Sequence, residues 1–166
     1  LTAGLATPVT VTATVTDNNG CSGTEISSVT ANVYRSGITN AGCTTANGNN
    51  CYPNLTCTQV AGSCSGPTDA SADYTCSVDI KYYADPTVAD TKFPTETWST
   101  TVKATDNNSS SSSTELTTGV ELNALAAIST SASIDYSERA LGVALDPSIE
   151  TVVTSTGNVG LDVEVS

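Results

Sequence analysis

The chain has 166 residues, 17 Asp or Glu against five Lys or Arg, no His, and a formal net charge of −12. A phosphate backbone is gripped by clustered cations, so this balance argues against nucleic acid and disfavours an anionic membrane surface. Imidazole acid–base chemistry, Ser-His and Cys-His triads and His metal sites are excluded outright, and the chain reads as a protein that is not an enzyme.

Ser and Thr make up roughly three residues in ten, with Val as the main apolar partner. Thr and Val lose χ1 freedom in helices and suit a pleated, half-buried surface, so strands are expected throughout. The first spans residues 9–17, with Val9, Val11, Ala13 and Val15 on one face and threonines on the other. It stops at the turn signal Asp17, Asn18, Asn19, Gly20. A second strand is expected over 26–35, with Val29, Ala31 and Val33 aligned.

Residues 36–72 break the alternation and read as a long excursion rich in Gly, Asn, Thr and Cys. Four of the six cysteines (Cys43, Cys51, Cys57 and Cys64) lie in it, with Cys21 and Cys76 outside. Zinc sites favour paired CxxC spacing, which is absent here. An even count at irregular gaps favours three disulfides and an oxidising compartment, with the pairing open. Crosslinks would then order a stretch that lacks a core of its own.

Alternation returns over 74–83, over 97–106 with Trp98 inward, and over 115–122, where residues 107–113 read as a polar tip. Five strands with turn signals between them indicate an immunoglobulin-like β-sandwich over residues 1–122, carrying a disulfide-stapled insertion at about 36–72. Residues 123–166 read as a second, short or incomplete β-unit. Its strands are expected at 128–136, near 149–154 and at 159–166, the last placing Val159, Leu161, Val163 and Val165 inward. So little chain is too short for a free-standing core. The unit is expected to be completed by the first domain, a following segment or a neighbouring subunit, and 159–166 is the candidate assembly strand.

The segment VTVTATVTDNNG followed by ISSVTANVYRS resembles the paired early strands of bacterial immunoglobulin-like (cadherin- or fibronectin-like) cell-surface repeats. WSTTVKATDNNSS resembles the late strand of such repeats, and the stretch from SIDYSERALG to TSTGNVGLDVEVS is similar to the opening strands of another module of large surface proteins. The resemblance implies an all-β extracellular protein. Its expected partners are copies of itself or other surface proteins, with glycans as a further option.

Remaining candidates are few. Asp17 and Asp106, each followed by two Asn, end two strands and offer hard oxygens to calcium, the one metal considered; no other cofactor is expected. Asn54, Asn107 and Asn108 begin N-glycosylation acceptor patterns. Tyr52 and Trp98 are the aromatics that could serve a glycan-binding face, with the Cys-rich stretch as its loop. No apolar run is long enough to span a bilayer as a helix. The favoured role is an extracellular structural or adhesive subunit of a filament or surface layer. The alternative is a glycan- or ligand-binding module of a larger surface protein.

Overall fold

The computed structural model describes residues 1–66, 68–116, 118–130, 138, 142 and 151–162. Where β-branched residues alternate, strands form. β1 (Thr7–Thr16) and β4 (Ser71–Ile80) pair antiparallel along their whole length, Val9 opposite Val78 and Val15 opposite Ala72. β2 (Ile26–Arg35) lies between β3 (Cys51–Gln59) and β5 (Trp98–Asp106), and β6 (Ser111–Glu115) adds to β5. The result is one antiparallel six-stranded sheet in the order β1-β4-β3-β2-β5-β6. The sheet is curled, so that β1 and β5 come into contact although three strands separate them in that order.

β3 is the corner of the curl. Its first part pairs with β2, Tyr52 opposite Val33 and Thr56 opposite Thr30. Its end pairs with β4, Cys57 opposite Cys76 and Gln59 opposite Tyr74. The β2–β3 register slips between Ala31 and Val33, which lie opposite Leu55 and Tyr52, so Pro53 and Asn54 form a bulge. Asn54 takes a left-handed φ of 55°, and its N–H donates to Asn32 Oδ1 at 2.7 Å. Proline has no N–H for a ladder and Asn tolerates the left-handed region, so both suit a point where the strand changes partner.

β3 also corrects the reading of 36–72 as a loop without a core. A central strand runs through it, and Cys57 is 7% exposed within the main apolar cluster. Alternation was masked because Cys, Pro and Asn stand where Val and Ile would signal a strand. The excursion proper is a 3-10 turn (Ser36–Ile38), α1 (Thr39–Gly42) and the loop to Asn50. It covers the outer face of β2, where Tyr34 is fully buried with Cys43 and Cys51.

Inside the curl the core has two parts. Val29, Ala31, Cys57, Ala72, Tyr74 and Cys76 form one, and Val33, Tyr52, Val78, Ile80, Ala84 and Trp98 the other. Arg35, 7% exposed, closes one end. Its guanidinium bonds Asp85 at 3.0 Å and Glu96, and lies 3.5 Å from the Phe93 ring centre.

β7 (Ile128–Thr130) and β8 (Val153–Ser155) make a separate two-stranded ribbon within the strands expected over 128–136 and near 149–154, of which 131–136 and 149–150 lie outside the described residues. Of the expected strand 159–166, residues 159–162 are not in a strand; Val163 and Val165 lie outside the described residues. Residues 123–127 are irregular. The turn at Asn158 docks this unit onto the large sheet's end. Asn158 Oδ1 accepts the Leu125 N–H at 2.6 Å, and its Nδ2 donates to Ala84 O at 3.0 Å and Asn123 O at 3.1 Å. Gly157 beside it has no room for a side chain, since a Cβ would stand 2.0 Å from the Leu125 carbonyl oxygen.

Candidate functional site: an open seam between two strand edges

A curled sheet has two outer edges, and here they border one cleft. Among the described residues β1 pairs with β4 alone and β6 with β5 alone. The cleft between them has a volume of about 690 Å³. On one side it is lined by the inward face of β1, including Val9, Val11, Ala13 and Val15. On the other lie Val102 and Ala104 of β5, Ser112 and Thr114 of β6, and Leu116 and Val120 beyond it.

Burial falls away towards this seam from both sides. On β4 the inward residues Ala72, Tyr74, Cys76 and Val78 are at most 6% exposed. Their partners on β1 are only half-buried, and Val9 is 41% exposed. On the other side Val29 and Ala31 of β2 are buried, Val102 and Ala104 half-buried, and Leu116 and Val120 exposed at 49% and 63%. The apolar stripe of β1 was legible in the sequence. Ser112 and Thr114 of β6 were missed, because a strand of sequence SSSTE carries no hydrophobic period and forms through its pairing with β5. That strand begins inside the segment read as a polar tip, and the strand expected over 115–122 is displaced accordingly.

The edges lack charge. Between Val9 and Thr16 no residue is ionisable, and between Ser111 and Thr114 none is. Glu115 is turned to the outer face, where its carboxylate accepts the Tyr34 hydroxyl at 2.7 Å and the Ser99 hydroxyl at 3.3 Å. Burial pushes the Tyr34 phenol above the ordinary 10.0, and the neighbouring carboxylate adds to that.

The other candidates fall elsewhere. The six cysteines form three disulfides, Cys21–Cys64, Cys43–Cys51 and Cys57–Cys76, consistent with an oxidising compartment. Tyr52 and Trp98 pack against each other with ring centres 5.9 Å apart, at 8% and 7% exposure, so neither ring offers a stacking face. Burial raises the Tyr52 phenol, whose hydroxyl donates to Gly48 O and accepts the Lys81 N–H. Asn54, Asn107 and Asn108 are exposed, the first in the β3 bulge and the others in the β5–β6 turn.

Asp17 and Asp106 do come together, as rim residues of a smaller cleft of about 220 Å³. Each already caps its own turn: Asp17 accepts the Asn19 N–H, and Asp106 those of Asn108 and Ser110, all at 2.8 Å. Calcium takes about six to eight oxygens, and among the described residues no group of three Asp, Glu, Cys or His side chains is placed to hold a metal. Two turn-capping carboxylates are an incomplete donor set.

The fold and the cleft thus define an all-β, disulfide-stapled protein whose six-stranded sheet is, among the described residues, open along a seam. Comparison with protein-family models, with curated proteins and with solved structures returned no match. No described helix is long and apolar enough to cross a membrane.

Proposed function

We propose that this chain is an extracellular structural or adhesive protein, a filament or surface-layer subunit that assembles through β-strand contacts at the β1–β6 seam. One observation carries the proposal: two strand edges, unpaired among the described residues and free of charge over Val9–Thr16 and Ser111–Thr114, border one apolar cleft. An edge strand is a ready template for another strand, and natural proteins blunt such edges with Lys, Pro or bulges. Pro8 stands at the start of β1, and β6 is short and ends at Glu115, but Val9–Thr16 and Ser111–Thr114 carry no charge or Pro. In a chain of net charge −12, edges kept free of charge favour contact rather than repulsion.

The pairing order supports an immunoglobulin-like reading of the curl. Taking β3 as the corner, β1-β4-β3 faces β2-β5-β6. An immunoglobulin domain has sheets A-B-E-D and C-F-G, so β1, β2, β3, β4, β5 and β6 would stand for B, C, D, E, F and G. Strand A, which flanks B, has no counterpart among the described residues, and its place is the seam. The three disulfides support an extracellular setting. The binding-module alternative loses its aromatic face, since Tyr52 and Trp98 are core residues.

Sedimentation velocity and negative-stain microscopy of the purified chain test the reading. Concentration-dependent oligomers or filaments are expected. A monomer at all concentrations up to the micromolar range defeats the proposal.

A further inference from the structure

Resting on the assembly reading above, we infer that the seam accepts an extended strand from a second copy of this chain, and that this strand is residues 159–166. The seam fixes the shape of its occupant. It offers backbone donors and acceptors on both walls and apolar side chains on its floor, the combination that an added β-strand satisfies. The occupant must be apolar at alternate positions and polar at the others.

Residues 159–166 meet these demands. Val159, Leu161, Val163 and Val165 alternate with Gly160, Asp162, Glu164 and Ser166. The seam face of β1 presents Val9, Val11, Ala13 and Val15 at the same spacing. With the apolar set turned to the floor, Asp162 and Glu164 face water. Glu115 also borders the seam, but its carboxylate is turned to the outer face, where Tyr34 and Ser99 engage it.

The segment's starting point is fixed too. Asn158 is clipped to Ala84, Asn123 and Leu125, and exposure begins directly after Val159, with Leu161 41% exposed. Neither Val159 nor Leu161 lines the seam of its own chain. Among the described residues the seam is open and Val159–Asp162 stand apart from it, so each copy can take a strand from one neighbour and give a strand to the next. Such a head-to-tail contact passes from copy to copy, and its product is a filament where the rotation between neighbours does not close into a ring.

Complementary variants decide the matter. Leu161→Asp and Val163→Asp spoil the donor segment. Val9→Lys and Ser112→Lys spoil the acceptor seam at exposed positions, where a charge leaves the core intact. Each variant alone is expected to lose assembly, while a mixture of L161D with S112K forms heterodimers and nothing larger. A peptide of sequence 159–166 added in excess is expected to return the wild-type assembly to monomers. If wild type assembles and L161D and V163D assemble equally well, the donor assignment is overturned while the assembly reading stands. If V9K and S112K also assemble, the seam is overturned as acceptor. A wild-type chain that stays monomeric overturns the assembly reading itself.

Discussion

Arg35 is one of five cations in the chain and, among the described residues, the one buried, with the Asp85 and Glu96 carboxylates and the Phe93 ring around it. Glu96 also accepts the Gly37 N–H at 2.8 Å, so the cluster ties the end of β2 to the segment leading into β5. Truncating one partner of a buried ion pair leaves the others uncompensated. Arg35→Ala is therefore expected to cost about 3 kcal/mol, read as a lower urea midpoint with an unchanged slope. Asn158 is the corresponding residue for the second unit. Asn158→Ala removes three hydrogen bonds at about 1 kcal/mol each, and faster amide exchange at Leu125 is the expected signature. Exchange at Leu125 unchanged in the variant would show that the clip does not hold the unit.

At the scale of elements, the disulfides divide the work unequally. Cys57–Cys76 joins directly opposed residues of β3 and β4 inside the core, Cα atoms 4.1 Å apart. Cys21–Cys64 links the turn after β1 to the loop after β3 across a separation of 43 residues, and Cys43–Cys51 closes a separation of 8. Chain-entropy estimates give about 4 kcal/mol for the long link and about 2.5 kcal/mol for the short one. Paired Cys→Ala variants should lose stability in that order, and equal losses in urea titrations would contradict it. This division also shows what was legible beforehand. β1 and β4 were read closely because Val, Tyr and Ile at period two leave one solution for a half-buried strand. β3 was hidden, since Cys51, Pro53 and Asn54 look like loop residues until two neighbouring strands supply the hydrogen bonds. β6 was hidden for the converse reason: its serines are neutral about structure, and β5 decides for them. The seam could not be read at all, because period two says which face of β1 is apolar and not what stands opposite it.

Across the whole molecule, the titration of the protein is simple. The chain has no His and no free cysteine, so no side chain titrates between the carboxylates and the tyrosines. Burial raises Tyr34, Tyr52 and Tyr74 above the ordinary 10.0. The folded state therefore holds these protons to higher pH than the unfolded chain does. The stability they contribute is complete below the unfolded value and is lost as pH rises through the folded ones. Urea midpoints should be nearly flat from about pH 6 to about pH 9 and fall above about pH 10. A midpoint that rises above pH 10 would reverse the assigned direction.

The sheet's architecture makes the central claim concrete. A curled sheet with buried strands at its middle and half-buried ones at both edges has a core that ends in the open, at Val9, Leu116 and Val120. Amide hydrogen exchange along residues 9–16, measured over a range of protein concentrations, tests it most directly. The β1 amides that point away from β4 are predicted to exchange fast in dilute solution and to become protected as concentration rises, together with those of Ser111–Glu115. Fast exchange at both edges, unchanged at every concentration, would contradict the account.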